Sequence, residues 1–135
     1  MQRLPHHKLI AYEVAIRLLG AVREARIRDP YLRDHAMRAA KAACLNTAEG
    51  AGRVSRADKA RSFTIARGEA CEAASCVEIA VAAGDAEAAA LEPGACAIEA
   101  GARVLEAGAR VLEAGARVLE GGARVLEAGA CALEG

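Results

Sequence analysis

Apolar residues recur at three- and four-residue intervals along nearly the whole chain, the period of a helix buried on one face. Between residues 8 and 27, Ile10, Val14, Leu18, Ala21 and Ala25 fall on one stripe and predict a first helix. The stretch RDP at 28–30 interrupts it, because Pro30 disfavours helix at Asp29 and suits the first turn of the next element. A second helix, over about 30–49, is lined by Leu32, Ala36, Ala39, Ala43 and Asn46. Gly50 and Gly52 are expected to end it, since glycine takes the left-handed cap conformation freely. SRAD (55–58) resembles a capping box with Asp in place of Glu and opens a third helix. Its stripe is Phe63, Ala66, Ala70, Ala73, Val77 and Ala80, a coiled-coil-like seam of mostly small knobs. Gly84–Asp85 closes it, and a fourth segment follows, with Pro93 at its first turn or at a kink.

From Gly94 the pattern becomes a strict seven-residue repeat: GACAIEA, GARVLEA twice, GARVLEG, GARVLEA, GACALEG. On a helical wheel each Gly sits mid-way along the apolar face, between Leu and Val, with Arg and Glu opposite. That face suits close approach by another helix, and the seven-residue period favours left-handed supercoiling. Each interior Gly costs ~1 kcal/mol relative to Ala, while each Glu–Arg pair at i,i+4 returns only ~0.3–0.5 kcal/mol. Alone the segment is a poor helix; docked it is a better one. Its 42 residues would span ~63 Å against ~44 Å for helix three. Short connections imply antiparallel neighbours. The fold class is therefore all-α, an antiparallel up-and-down four-helix bundle with a heptad-repeat extension of helix four. Residues 1–113 form the bundle and 114–135 the extension.

Composition sharpens this. Of the 54% apolar residues, 36 are Ala, and the chain has one Phe, two Tyr and no Trp. Ala buries little area at ~25 cal/mol per Å², so one copy has a thin core and self-association is expected. The zero net charge hides an asymmetry. Residues 1–84 carry 14 Lys/Arg against 9 Asp/Glu, a balance of +5, and residues 85–135 carry 4 against 9, a balance of −5. Five Cys without CxxC spacing read as buried small hydrophobes in a reducing compartment. The first ten residues lack the apolar run of a signal peptide, and no stretch is long enough to span a membrane. The expected location is the cytoplasm.

Candidate chemistry is sparse. Asn46 and Glu49 lie one turn apart on an Ala-rich helix and are expected to clamp helix three, through Arg61, Lys59 or exposed backbone N–H groups. EGAGR follows a helix and lacks the GK[ST] ending of a phosphate loop. No Glu-x-x-His occurs, and His6, His7 and His35 lack ligand spacing, so neither metal nor cofactor is expected. No nucleophile–base pair is identifiable, so no catalytic residue is assigned and the protein is read as non-enzymatic. Basic residues form two groups: Arg53, Arg56, Lys59 and Arg61 at the start of helix three, and Arg23, Arg26, Arg28 and Arg33 around the first turn. Repeated by oligomerisation, either group would hold nucleic acid by its phosphates, and few aromatics are present to stack on bases.

At LNTAEGAGR (45–53) the chain resembles a known family, the bacterial four-helix bundle proteins of 23S ribosomal RNA intervening sequences. Their second helix carries Arg-Ala-Ala, then Asn-Ile-Ala-Glu-Gly and Arg. Here Arg38-Ala39-Ala40, Asn46-Thr47-Ala48-Glu49-Gly50 and Arg53 match. Helix three of the family runs Phe-x-x-Ile-Ala-Arg-Gly-Ser-x-x-x-Glu, matched by Ile65-Ala66-Arg67-Gly68 and Glu72. Thr47 stands for Ile, Ser62 for Phe with Phe63 one place later, and Glu69 for Ser. The resemblance implies a bundle that assembles as a ring, commonly a pentamer, without established catalysis. The chain is also similar to the accessory proteins of diversity-generating retroelements, which implies RNA or DNA and a reverse transcriptase as partners. The expected function is a homo-oligomeric nucleic-acid or ribonucleoprotein accessory. The alternative is a protein scaffold that recruits a partner helix through the Gly/Leu/Val stripe. Truncation after Glu113 is expected to leave folding and assembly intact, as measured by circular dichroism and native mass.

Overall fold

The computed structural model describes residues 4–91, and these form three antiparallel helices: α1 (Ile10–Glu24), α2 (Pro30–Gly52) and α3 (Arg56–Ala82). A 3-10 turn at Pro5–Lys8 precedes α1, and another at Ala88–Ala90 follows α3. No strand occurs among the described residues. The fourth helix, the heptads and the 113/114 boundary lie outside the described residues.

α2 and α3 start where the sequence provides a side-chain cap, whereas α1 opens at Leu9 without one. Asp29 accepts from the Leu32 N–H at 2.7 Å, with Pro30 in the first turn, and so opens α2. Ser55 accepts from the Asp58 N–H at 3.0 Å, and its hydroxyl donates to the Asp58 carboxylate at 2.7 Å. The Ser55 cap read from SRAD forms, with the Asp58 carboxylate taking the Ser55 hydroxyl rather than the reciprocal backbone bond of a full capping box. At the end of α3 the Asp85 N–H reaches the Ala80 carbonyl (2.7 Å) and the Gly84 N–H the Val81 carbonyl (3.0 Å). This is a Schellman closure, and Gly84 adopts the φ of +79° that it requires.

The α2–α3 pairing is the most extensive contact, and α1 packs more on α2 than on α3. The seam is alanine: Ala36, Ala39, Ala40 and Ala43 from α2 meet Ala66, Ala70, Ala73, Val77 and Ala80 from α3, all buried. Five of the six predicted α3 positions are buried, and Phe63 is half-buried. On α1 the predicted stripe is rotated. Val14, Ala15, Leu18 and Val22 are buried, Ala21 only partly, and Ile10 is 66% exposed. Val22 and Ile27 instead join Leu18 and Ala25 in the core.

Gly50 differs from its expected role. α2 runs through it to Gly52, and the cap at Arg53 is extended (φ −68°, ψ 147°) rather than left-handed. Gly50 is buried beneath the Phe63 ring, and a Cβ there would lie 2.8 Å from Phe63 Cε1. The ring's approach, not helix termination, requires glycine. An added methyl gains ~1 kcal/mol of helix propensity and forces the ring aside at ~1–3 kcal/mol. Gly50→Ala is accordingly expected to stabilise a Phe63→Ala background while giving no gain or a loss in the parent, a coupling of ~1–3 kcal/mol measured by urea denaturation.

Candidate nucleic-acid interface

The two basic groups lie at opposite ends of α2, which at 1.5 Å per residue is ~35 Å long. They do not merge within one protomer. At the α2–α3 turn, Arg53, Arg56 and Arg61 are exposed and Lys59 is half-exposed. The Arg53 guanidinium is paired with the Glu49 carboxylate one turn back. That hydrogen bond, followed by the Glu49 charge, raises the Arg53 pKa further and keeps the guanidinium charged. At the other end Arg23, Arg26, Arg28 and Arg33 are all exposed.

Arg28 has a structural task. Its side chain donates to the Gly84 carbonyl and its N–H to the Asp85 carbonyl at 2.8 Å, tying the first turn to the end of α3. Arg33 lies 3.8 Å from Asp34. Arg26 holds a φ of +47°, unusual for a side chain with a Cβ. Within the two groups, Arg23, Arg26, Arg56, Lys59 and Arg61 form no ion pair with the described residues, and outside them Lys8, Arg17 and Lys41 are exposed and without an ion pair as well.

Of the motif residues, Gly50 is buried, Asn46 is half-buried, and Arg38, Glu49, Arg67, Gly68 and Glu72 are exposed. Asn46 Nδ2 donates to the Ala42 carbonyl at 2.9 Å and Glu49 pairs with Arg53, so neither reaches Arg61 or Lys59 in the way the spacing suggested. Both found partners on their own helix, because at i±4 those partners are closer than anything across the seam. Asn46, Glu49, Arg53, Asp58, Arg61, Ser62 and Ile65 line a shallow polar groove. Arg38 and Glu72 are joined through His35, which in the sequence stood out only for lacking metal-ligand spacing. Arg38 Nη2 donates to His35 Nδ1 at 2.9 Å, and His35 Nε2 meets the Glu72 carboxylate. A neutral imidazole carrying its proton on Nε2 satisfies both contacts. The i,i+3 spacing of His35 and Arg38 was the only available sequence signal. Arg67 and Gly68 are exposed on α3, and a Cβ on Gly68 would meet nothing within 4 Å.

Two of the three departures from the family pattern, Thr47 and Ser62, are buried, and Glu69 is half-exposed. Thr47 is fully buried, its hydroxyl donating to the Ala43 carbonyl at 2.7 Å, and it stands where the family pattern has the larger Ile. Ser62 is 7% exposed, and the aromatic bulk one position on, at Phe63, packs over Gly50 instead. Among the described residues, no three His, Cys, Asp or Glu side chains cluster as a metal site. No described helix is long and apolar enough to cross a membrane.

A family model for the 23S rRNA-intervening sequence proteins matches residues 7–98. No curated protein gives a significant match.

The cysteines differ in environment. Cys44 and Cys76 are buried and Cys71 is exposed. Burial pushes both buried thiols above the ordinary range, and the Glu72 charge adds to the effect at Cys76. A raised pKa favours the neutral thiol in the folded chain. Alkylation at pH 8, mapped by mass spectrometry, is therefore expected to modify Cys71 well before Cys44 or Cys76, and denaturant should abolish the difference.

Proposed function

The chain belongs to the 23S rRNA-intervening sequence protein family, and from that premise we propose that it acts without catalysis, as a homo-oligomeric accessory that holds RNA or DNA by its phosphate backbone. The observation that carries this reading is the set of five exposed or half-exposed cations, Arg23, Arg26, Arg56, Lys59 and Arg61, without ion pairs to the described residues. Long cationic side chains held in solvent release counterions when they meet phosphate, and that release drives sequence-independent binding. Assembly of several copies would repeat each cluster.

Readout of bases has little support. Phe63 is committed to Gly50, Tyr12 lies against His6 with ring centroids 4.6 Å apart, and Tyr31 stacks on His35 at 6.0 Å. Base stacking needs free aromatic faces, so the reading is one of affinity for backbone rather than for sequence. The acidic balance of residues 85–135 competes with phosphate for the same cations, and binding should therefore be salt-sensitive and moderate.

Fluorescence anisotropy with mixed-sequence RNA and DNA, between 50 and 200 mM salt, tests this. If all five cations contact phosphate, the log–log salt slope is expected to be about −4.5, from ~0.9 per contact on duplex. Replacing Arg56, Lys59 and Arg61 by Gln should reduce its magnitude by about 2–3. Absence of any salt-dependent shift at low ionic strength would remove the proposal.

A further inference from the structure

The polar groove between the last turns of α2 and the first turns of α3 holds a hydroxyl that the packing leaves unused. Ser62 is 7% exposed and makes no hydrogen bond with a described residue. No buried side-chain oxygen among the described residues lacks a partner, so the Ser62 hydroxyl is not sealed in the seam. It opens into the groove that the residue lines. A hydroxyl so placed gains little from bulk water and has a full hydrogen bond to offer a bound molecule. Ser62 also stands where the family pattern has Phe, and a ring at that position would fill the same space. The opening therefore belongs to this chain and not to the pattern. It measures about 310 Å³, room for a small organic molecule.

The charges along the groove cancel in sum and are separated in place. Arg53 is bonded to Glu49, and its pKa is raised by that bond, by the Glu49 charge and, more weakly, by the charge of Asp58. Two carboxylates thus share one guanidinium at the end nearest the turn, an excess of one negative charge. Arg61, one turn further along α3 from Asp58, is exposed and forms no ion pair with the described residues. It supplies one positive charge further in. Beyond it lie the Asn46 amide, one N–H of which is on the Ala42 carbonyl, and the 42%-exposed Ile65.

We propose that this groove binds a free α-amino acid with a small apolar side chain. The ligand's carboxylate lies on the planar fork of Arg61 and accepts from the Ser62 hydroxyl. Its ammonium faces Asp58 and the Glu49 carboxylate, and its side chain rests on Ile65. The nitrogen and the carboxylate carbon of an amino acid are ~2.5 Å apart, short enough to bridge Asp58 and Arg61, which are ~4.5 Å apart along the helix axis. A phosphate ion satisfies only the Arg61 end and meets surplus carboxylate at the other. A simple amine has the opposite mismatch. A zwitterion alone matches both ends, and the apolar wall favours an amino acid over a charged headgroup. The site goes beyond the phosphate reading and shares only Arg61 with it.

Titration calorimetry on the full chain tests this, with glycine, alanine, valine and leucine as ligands and inorganic phosphate, putrescine and phosphoethanolamine as controls. At least one of the apolar amino acids is expected to bind, one per protomer, more tightly than any control. Its methyl ester and its N-acetyl form, each lacking one charge, should bind at least tenfold more weakly. Arg61→Gln and Asp58→Asn, both at exposed positions, should each weaken binding at least tenfold with helicity retained. Ser62→Ala is expected to cost about tenfold, as for a hydrogen bond to a charged group. Ser62→Phe should abolish binding by filling the groove; should that variant fail to fold, the two surface variants carry the test. Asp58→Asn also separates this site from nucleic-acid binding, because removing a carboxylate does not weaken a contact with phosphate. No heat from any amino acid up to about 10 mM would overturn the proposal. So would unchanged affinity in Asp58→Asn, which leaves an anion site only, or preference for phosphoethanolamine, which makes the ligand a headgroup.

Discussion

Alanine along the α2–α3 seam sets the distance at which those two helices run, and much else follows from that spacing. With methyl groups as knobs, the backbones approach toward the short end of the 8–10 Å range for packed helices. At that distance a side chain on one helix soon meets the backbone of the other. Gly50 beneath Phe63 is the sharpest case. Thr47 and Ser62 obey the same limit: they are small enough to be buried, and the Thr47 hydroxyl is satisfied on its own helix. Close approach also means that each residue removes little apolar area from water. Among the described residues Leu18 and Thr47 are the largest side chains that are fully buried, so the core of the three-helix unit is modest.

The motif residues of α2 and α3 enter the packing and the surface geometry of that seam. Gly50 admits the ring, Asn46 and Glu49 turn back to their own helix, and Arg38 and Glu72 meet through His35 across the outer edge of the seam. Both charged members are substantially exposed, where a pair contributes little to stability. Their arrangement shapes a surface more than it holds the bundle.

Much of this was legible in the sequence. The capping residues Asp29 and Ser55 and the alanine stripe of α3 follow from local rules that tertiary contacts reinforce. The face of α1 was less legible, because Ile10 and Val22 are both apolar and only α2 decides which of them is covered. Gly50 was misread for a similar reason. A glycine near a helix end suggests a cap, and nothing in the local sequence reveals a ring arriving from 13 residues further along. The partners of Asn46 and Glu49 were open to several donors, and distance chose the nearest ones.

The strut from Arg28 to Gly84 and Asp85 has a kinetic meaning. Its donor and acceptor are 56 residues apart along the chain, so both of its bonds can form only after α2 and α3 have folded and returned. Local helix growth precedes such closure, since distant contacts carry the larger loop entropy. The Arg28 amide, sitting between two helices and belonging to neither, exchanges with solvent whenever the three-helix unit opens at this end. It marks the completion of the whole unit rather than the presence of any one helix.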